Sequence, residues 1–359
     1  MYTISSNALR RQLTEVFRAW GMPDDNIAVI VENMVESDLR GIDSHGVGML
    51  PRYDGQRKDD ALNMTPDVRV VRDFGAVALI DADHGLGHVA GTMAMQMACD
   101  KAEQFGVGVV TARGSNHFGA AGVYSTMAVE RGLIGLCTTG TTQRSVLPTF
   151  GKEPRYSTNP IAFAAPAKRN EPFSLDMATS TVAVGKLQIA RRAGKELPLG
   201  WAHDAEGHPT SDPEAALAAT PKRLSPLGGS RDLGSHKGYG LAMMVEILSS
   251  VLSGSFIGGY NLKSDKREQY INVGHFCLAL NPAGFSEEGE FEDNLDDLID
   301  MLHATDPVDP AQPVLVAGDP EHRERARRLV EGIPMTDTLY KEVRAVAESC
   351  GAPFILGND

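Results

Sequence analysis

Apolar residues recur with a period near 3.6 in two stretches at the start of the chain, ALRRQLTEVFRAW and NIAVIVENMVESDL, which predicts two helices. Ser5, Ser6 and Asn7 offer caps for the first and Gly21-Met22-Pro23 ends it. Asp24 and Asp25 open the second helix, which Gly41 closes. From Ala76 the pattern changes. AVALIDAD, GVGVVTAR and LIGLCTTG are apolar runs of strand length, while GHVAGTMAMQMACDKAEQF and AAGVYSTMAVERG between them read as helices. Alternation of this kind predicts an α/β core, to which PIAFAAPA and FSLDMA add apolar runs. Residues 190–235 are polar and rich in Gly and Pro, and predict a long loop region. HKGYGLAMMVEILSSVLSG reads as a helix and GHFCLALNP as a strand, and the chain from Glu288 is acidic and helical around a PVLVAGDPEHR loop. Three regions follow: a helical part over 1–75, an α/β part over 76–285, and a helical part over 286–359 that packs back on the first.

Chemistry concentrates where polar clusters interrupt this pattern. In Asp43-Ser44-His45-Gly46 a histidine stands in a polar turn, with an unperturbed pKa near 6.5 suited to proton transfer at neutral pH. The same residues also fit an ordinary helix cap beside a surface histidine. Gly114-Ser115-Asn116-His117-Phe118-Gly119 follows a strand and precedes a helix, a place where backbone N–H groups bind anions. Ser157-Thr158-Asn159-Pro160 and Asp176-Met177-Ala178-Thr179-Ser180 carry hydroxyls and a carboxylate able to hold ribose or phosphate oxygens, or simply to cap turns. His236 and Lys237 open an apolar helix, where a cation opposes the helix dipole unless an anion offsets it. Gly85-Leu-Gly87-His-Val-Ala90 fits the G-x-G-x-x-A dinucleotide fingerprint. The strand after it, however, ends in Arg113 rather than in a ribose-binding acid, so close strand-to-helix packing explains the glycines as well.

Composition narrows the classes. The balance of 34 Lys plus Arg against 47 Asp plus Glu gives a net charge of −13, which disfavours nucleic acid and anionic membranes as partners. No apolar run reaches the length of a membrane span, and MYTISSNALRRQL has no signal-like core. The cysteines at 99, 137, 277 and 350 form no CxxC pair, so buried thiols in a reducing, cytoplasmic setting are expected. No HExxH or Cys/His spacing points to a metal, and no GxSxG elbow is present.

The segments LRGIDSHGV, GSNHFGAAGVYS, STNPIAFAAP, LDMATSTVAVGK, GSHKGYGLAMMVEILSSVLSG and VLVAGDPE resemble, in order, those of the type-2 malate/L-lactate dehydrogenase family. This family includes sulfolactate, ureidoglycolate and 2,3-diketogulonate oxidoreductases and ketimine reductases. The DSHG segment followed by Gly-Met is closest to that of its hydroxycarboxylate dehydrogenase B branch. The resemblance implies an α/β, non-Rossmann NAD(P)-binding fold. It also implies hydride transfer between NAD or NADP and a small 2-hydroxy or 2-oxo acid, in a homodimer. It makes His45 the proton donor or acceptor and Ser44 its relay. It places His117 and Thr158 near the substrate, and Arg52 is a further candidate for substrate binding that the resemblance itself does not supply. It assigns cofactor contacts to His117, Phe118, Gly119, Asp176, Met177, Ala178, Thr179, Ser180, His236, Lys237, Asn272, Leu315, Val316, Ala317 and Gly318. Many members carry an Arg four residues after the catalytic His, and here that position is Met49. Arg52 lies one helical turn further on, and the adaptable, apolar Met49 favours a larger or aromatic 2-oxo acid. The alternatives are a ketimine reductase of the same family, a Rossmann-type dehydrogenase using the Gly85 loop, and a non-catalytic binding protein.

Overall fold

The computed structural model describes residues 1–141, 143–262 and 269–357. A short strand β1 (Tyr2–Ile4) precedes helices α1 (Ser6–Ala19), α2 (Asp24–Leu39) and α3 (Leu50–Lys58). Ser5 caps α1, its hydroxyl accepting from the Ala8 N–H at 3.2 Å. Leu9, Leu13, Val16 and Phe17 recur on one face of that helix and are fully buried.

The middle of the chain forms β2 (Arg69–Phe74), β3 (Val77–Asp81), α4 (Gly87–Phe105), β4 (Val107–Ser115), α5 (Ala121–Val129), β5 (Ile134–Thr139), β6 (Ile161–Ala165) and β7 (Phe173–Met177). A small lobe follows, with α6 (Val184–Arg192), β8 (Ala202–His203), β9 (Pro209–Thr210) and α7 (Pro213–Ala218). Next come α8 (Ser235–Glu246), which runs on through a π turn over Ile247–Val251, and β10 (Val273–Leu280). The chain ends with α9 (Glu290–His303), α10 (Asp319–Glu331), β11 (Ile333–Met335) and α11 (Asp337–Cys350).

Seven strands make one mixed sheet in the order β2-β3-β4-β10-β5-β6-β7. Its parallel pair is β3–β4, joined by α4, and its other pairs are antiparallel. The β2–β3 hairpin pairs Arg69 with Asp81, so it straddles the boundary expected between residues 75 and 76. Helix α4 lies close on the sheet because its inner face is made of small residues, Ala90, Ala94 and Ala98. Gly108 is required opposite it, since a Cβ there would sit 1.9 Å from the Ala98 carbonyl oxygen.

The two ends of the chain form one body. β1 pairs with β11, and a single apolar cluster joins Leu9, Phe17, Ile30 and Leu50 to Ile333, Tyr340 and Val343. The expected loop over 190–235 is corrected. Leu197, Ala202, Ala216 and Leu224 of that stretch share a core with Val146 and Leu187 from outside it, around which two short helices and a hairpin fold. Among the described residues no helix is long and apolar enough to cross a membrane.

Candidate active site

Helix α2 ends at Leu39, and Gly41, at φ +79°, turns the chain into the segment that carries His45. Two groups fix this turn from opposite sides. From within, the buried Asp38 carboxyl accepts the Val47 N–H at 2.8 Å. Gly46 makes room for it, because a Cβ there would lie 2.0 Å from Asp38 Oδ1. Burial pushes the Asp38 carboxyl up to about 8, leaving it a neutral acid at physiological pH. From the far end of the chain, Arg328 of α10 donates to the Asp38 carbonyl at 2.6 Å and to both carboxylate oxygens of Asp43. Ser44 Oγ then lies 2.8 Å from His45 Nδ1. Burial, and after it the charge of Arg52, lowers the pKa of His45 below its usual 6.5.

Met49, Arg52 and Tyr53 share one side of the next helix at spacings of three and four. The Tyr53 hydroxyl donates to His117 Nδ1 at 2.7 Å, and the Gly119 N–H points to the same nitrogen at 3.3 Å. A nitrogen that accepts carries no hydrogen, so this network assigns the ring N–H of His117 to Nε2. The His117 ring stacks on His45 with centroids 5.5 Å apart. Burial first, then the neighbouring charges of His45 and Arg52, holds it neutral, well below 6.5. Deeper still lie His88 and His275, both fully buried and pushed by burial to about 3. His275 bonds Thr139 Oγ1 at 2.8 Å and Ser115 Oγ at 2.7 Å, whereas neither ring nitrogen of His88 meets a protein partner.

A cavity of about 250 Å³ opens above these rings. Ser44, His45, Met49, Arg52, His117, Phe118, Gly119 and Thr158 line it, as do Thr139, Gly140, Thr141, Gln143, Ser157, Pro160 and Val273. The sequence-predicted Ser44, His45, Arg52, His117, Phe118, Gly119 and Thr158 therefore converge on one space. Phe118 contributes mainly by packing, its ring stacked 4.4 Å from His275 and 4.6 Å from Tyr124.

The Asp176–Ser180 segment continues from the cavity rim. Asp176 accepts the Gly122 N–H at 2.7 Å, just beyond the His117–Gly119 turn, and the Thr179 N–H donates to the Thr158 carbonyl at 2.7 Å. Leu227 N–H in turn donates to the Thr179 carbonyl, and Gly238 of α8 packs on Leu227. A hydrogen-bonded wall thus leads from Thr158 to the exposed His236 and Lys237. Asn272 spends its side-chain oxygen on the Gly114 N–H at 2.7 Å, beside the cavity residue Val273. Leu315–Gly318 does not reach the cavity. It lies against the start of β7, where the Ala317 carbonyl accepts the Ser174 N–H at 3.0 Å.

The Gly85 loop is closely packed. A Cβ on Gly85 would lie 2.5 Å from Pro66, and one on Gly87 would lie 2.4 Å from the Asn116 carbonyl oxygen. The Gly87 N–H at the start of α4 already donates to the His117 carbonyl at 3.0 Å. Tyr53, His88, His275, Asp38 and Arg328 were not found from the sequence. Among the described residues no cluster of three or more His, Cys, Asp or Glu could hold a metal ion.

The sequence profile of the malate/L-lactate dehydrogenase family matches residues 4–344. The chain belongs to this family. A malate dehydrogenase of Pyrococcus horikoshii is 39% identical over 94% of this chain and 93% of its own. An L-sulfolactate dehydrogenase of Methanocaldococcus jannaschii is 35% identical over 95% of each chain. The crystal structure of malate dehydrogenase from Entamoeba histolytica superposes with a TM-score of 0.92 at 32% identity, covering 98% of this chain and 99% of its own. Family members named as ureidoglycolate dehydrogenase (NAD(+)) and (2R)-3-sulfolactate dehydrogenase (NADP(+)) are 33% and 32% identical, and hydroxycarboxylate dehydrogenase B of Escherichia coli is 28% identical. As a malate/L-lactate dehydrogenase family member the chain is an oxidoreductase acting on hydroxy acids.

Proposed function

We propose that this enzyme interconverts a small 2-hydroxy acid and its 2-oxo acid, with His45 exchanging the proton and NAD or NADP the hydride. The observation that carries this reading is one cavity flanked by a guanidinium, Arg52, and by two stacked imidazoles with different partners. Arg52 binds the substrate carboxylate, a charge-assisted contact stronger than a neutral one. His117 Nε2–H donates to a substrate oxygen. Ser44 Oγ accepts from His45 Nδ1–H, which leaves Nε2 to take the proton of the C2 hydroxyl during oxidation and to return it during reduction.

The nicotinamide supplies or accepts a hydride at substrate C2. The residues present fit such a dinucleotide. The first turn of α8 has no side-chain cap and carries Lys237, with Arg231 held 3.0 Å from His236, a donor set suited to phosphates. The exposed Asp176 on the connecting wall suits a ribose hydroxyl, whereas Thr179 is fully buried and holds that wall together through the Thr158 and Asn159 carbonyls. This route leaves the crowded Gly85 loop without a cofactor role, which makes the binding mode non-Rossmann. We further place a second copy of the chain on the exposed apolar face formed by Met243, Ile247 and Val251 of α8 and its π turn.

Loss of near-ultraviolet absorbance from NADH or NADPH with a panel of 2-oxo acids and one cyclic imino acid tests the assignment. His45→Ala should lower kcat by about 10²–10⁴-fold with an unchanged melting temperature. Full activity in that variant would remove His45 from the chemistry. Preference for the imino acid would favour a reductase of C=N bonds. A monomeric mass in solution would remove the dimer.

A further inference from the structure

We infer that a buried water molecule is bound against His88, and that through it His88 acts as a positioning residue for His117. The role of His117 rests on the dehydrogenase reading above, whereas the water site stands apart from it. His88 is the second residue of α4 and is fully buried. Among the described residues neither of its ring nitrogens has a hydrogen-bond partner. A neutral imidazole carries one donor and one acceptor, and leaving both unmet in an interior is unfavourable. His275, equally buried, shows how the fold meets this demand elsewhere, with Thr139 Oγ1 on Nδ1 and Ser115 Oγ on Nε2. The rings of Tyr53 and His88 are nearly perpendicular, with centroids 5.8 Å apart. An N–H aimed at the Tyr53 face would be a weak contact and would still leave the other nitrogen unmet. Were only bulk required here, an apolar side chain would fill the place without that penalty. The imidazole instead calls for a small partner that both donates and accepts, and water is such a partner.

The position of this imidazole gives the water a function. Tyr53 and Gly119 are the two groups that donate to His117 Nδ1, and His88 packs against both. A Cβ on Gly119 would lie 3.0 Å from His88 Nε2 and 3.7 Å from the His45 carbonyl oxygen. Those two polar atoms therefore border the same side of Gly119, which offers the water an acceptor beside the ring. The same demand recurs beside the backbone of His117. Gln56 Nε2 donates to Asn116 Oδ1 at 3.4 Å, and that oxygen also accepts the His117 N–H at 2.7 Å. Gln56 Oε1 and Asn116 Nδ2 are nevertheless buried with no partner among the described residues. Unmet polar atoms thus gather around the Tyr53–His117 pair, and hydration there keeps the hydroxyl and the amide aimed at Nδ1.

The test has three arms on the full chain. A high-resolution crystal structure should show an ordered water within about 3.2 Å of a His88 ring nitrogen, and a dry site there would overturn the inference. His88→Leu and His88→Gln both approximate the size of the imidazole, but only glutamine keeps a donor and an acceptor. The Leu variant should melt a few degrees below wild type and the Gln variant should recover most of that loss. A Leu variant that melts at or above the wild-type temperature would mean that no partner was lost, and would overturn the water site. In the reduction of a 2-oxo acid, His88→Leu should raise KM by about tenfold with a smaller change in kcat. It should also move the ring nitrogen chemical shifts of His117, and His88→Gln should restore both. A lowered melting temperature with KM and those shifts unchanged would overturn the positioning role. Failure of the wild type to reduce any 2-oxo acid would overturn the dehydrogenase reading, while the crystal and melting arms still decide the water site.

Discussion

His45 and His117 stack face to face, yet the protein holds them in opposite ways. His117 is fixed through its ring: Tyr53 and Gly119 both donate to Nδ1, and burial keeps the imidazole neutral. His45 is fixed through its backbone. Among the described residues its ring hydrogen-bonds to the exposed Ser44 hydroxyl, while Asp38 and Arg328 hold the turn beneath it. A group that must gain and lose a proton needs a constrained position and an unconstrained charge. A group that only donates a hydrogen bond needs the reverse. Under the proposed function, this contrast suits His45 to proton exchange and His117 to orientation.

The sharpest way to break the contrast is Gly46→Ala. The new methyl would collide with Asp38, and the turn carrying His45 would have to move. A shift of about 1 Å costs on the order of 10² in rate, so kcat should fall by about that factor while nucleotide binding, read by fluorescence, persists. Tyr53→Phe attacks the other histidine. It removes one donor from a buried acceptor at a cost of about 1–3 kcal/mol, and it should release the His117 tautomer. Nitrogen chemical shifts of the labelled ring would report that change, and KM should rise more than kcat falls.

The pH profile separates the two rings with a smaller effect. Oxidation needs His45 unprotonated, and its pKa lies below 6.5. kcat/KM for the hydroxy acid should therefore be full above that pKa and fall as pH drops through it. His117, already neutral, should add no second inflection near neutrality. An acid limb centred above 6.5 would contradict the description of His45. The mildest change is Asp38→Asn, an isostere of the neutral acid. Its amide oxygen can still accept the Val47 N–H, so near-normal kcat is expected, whereas Asp38→Leu should lose both activity and melting temperature.

Periodicity revealed what short-range physics determines. The amphipathic faces of α1 and α2 and the apolar runs of β3, β4 and β5 sit where the sequence pattern places them. Three features escaped because their cause is not local. β2 is an exposed edge strand with mixed charges and no clean alternation. β10 inserts between β4 and β5 from more than a hundred residues away and pairs antiparallel with both, an order that the alternation of strands and helices does not reveal. The lobe around Leu187 and Leu224 has too few apolar residues per stretch to stand out from loop composition.

The site divides in the same way. His45 and His117 stand in polar, glycine-bearing turns that attract notice. Tyr53 was within reach, because reading residues 49–53 as a helix puts it on the side of Met49 and Arg52. His275 looks like one more position in an apolar strand until the sheet sets it beside Ser115 and Thr139. Nothing near Asp43 announces a partner 285 positions away in sequence.

The salt link from Arg328 to the His45 turn has a consequence for synthesis. Arg328, which steadies the turn that carries His45, is translated 285 residues after Asp43, in a helix followed by the strand that pairs with Tyr2–Ile4. A nascent chain can therefore assemble its central sheet early and still be inert. A chain released before α10 would leave the turn that carries His45 without this link, and is expected to show little redox turnover.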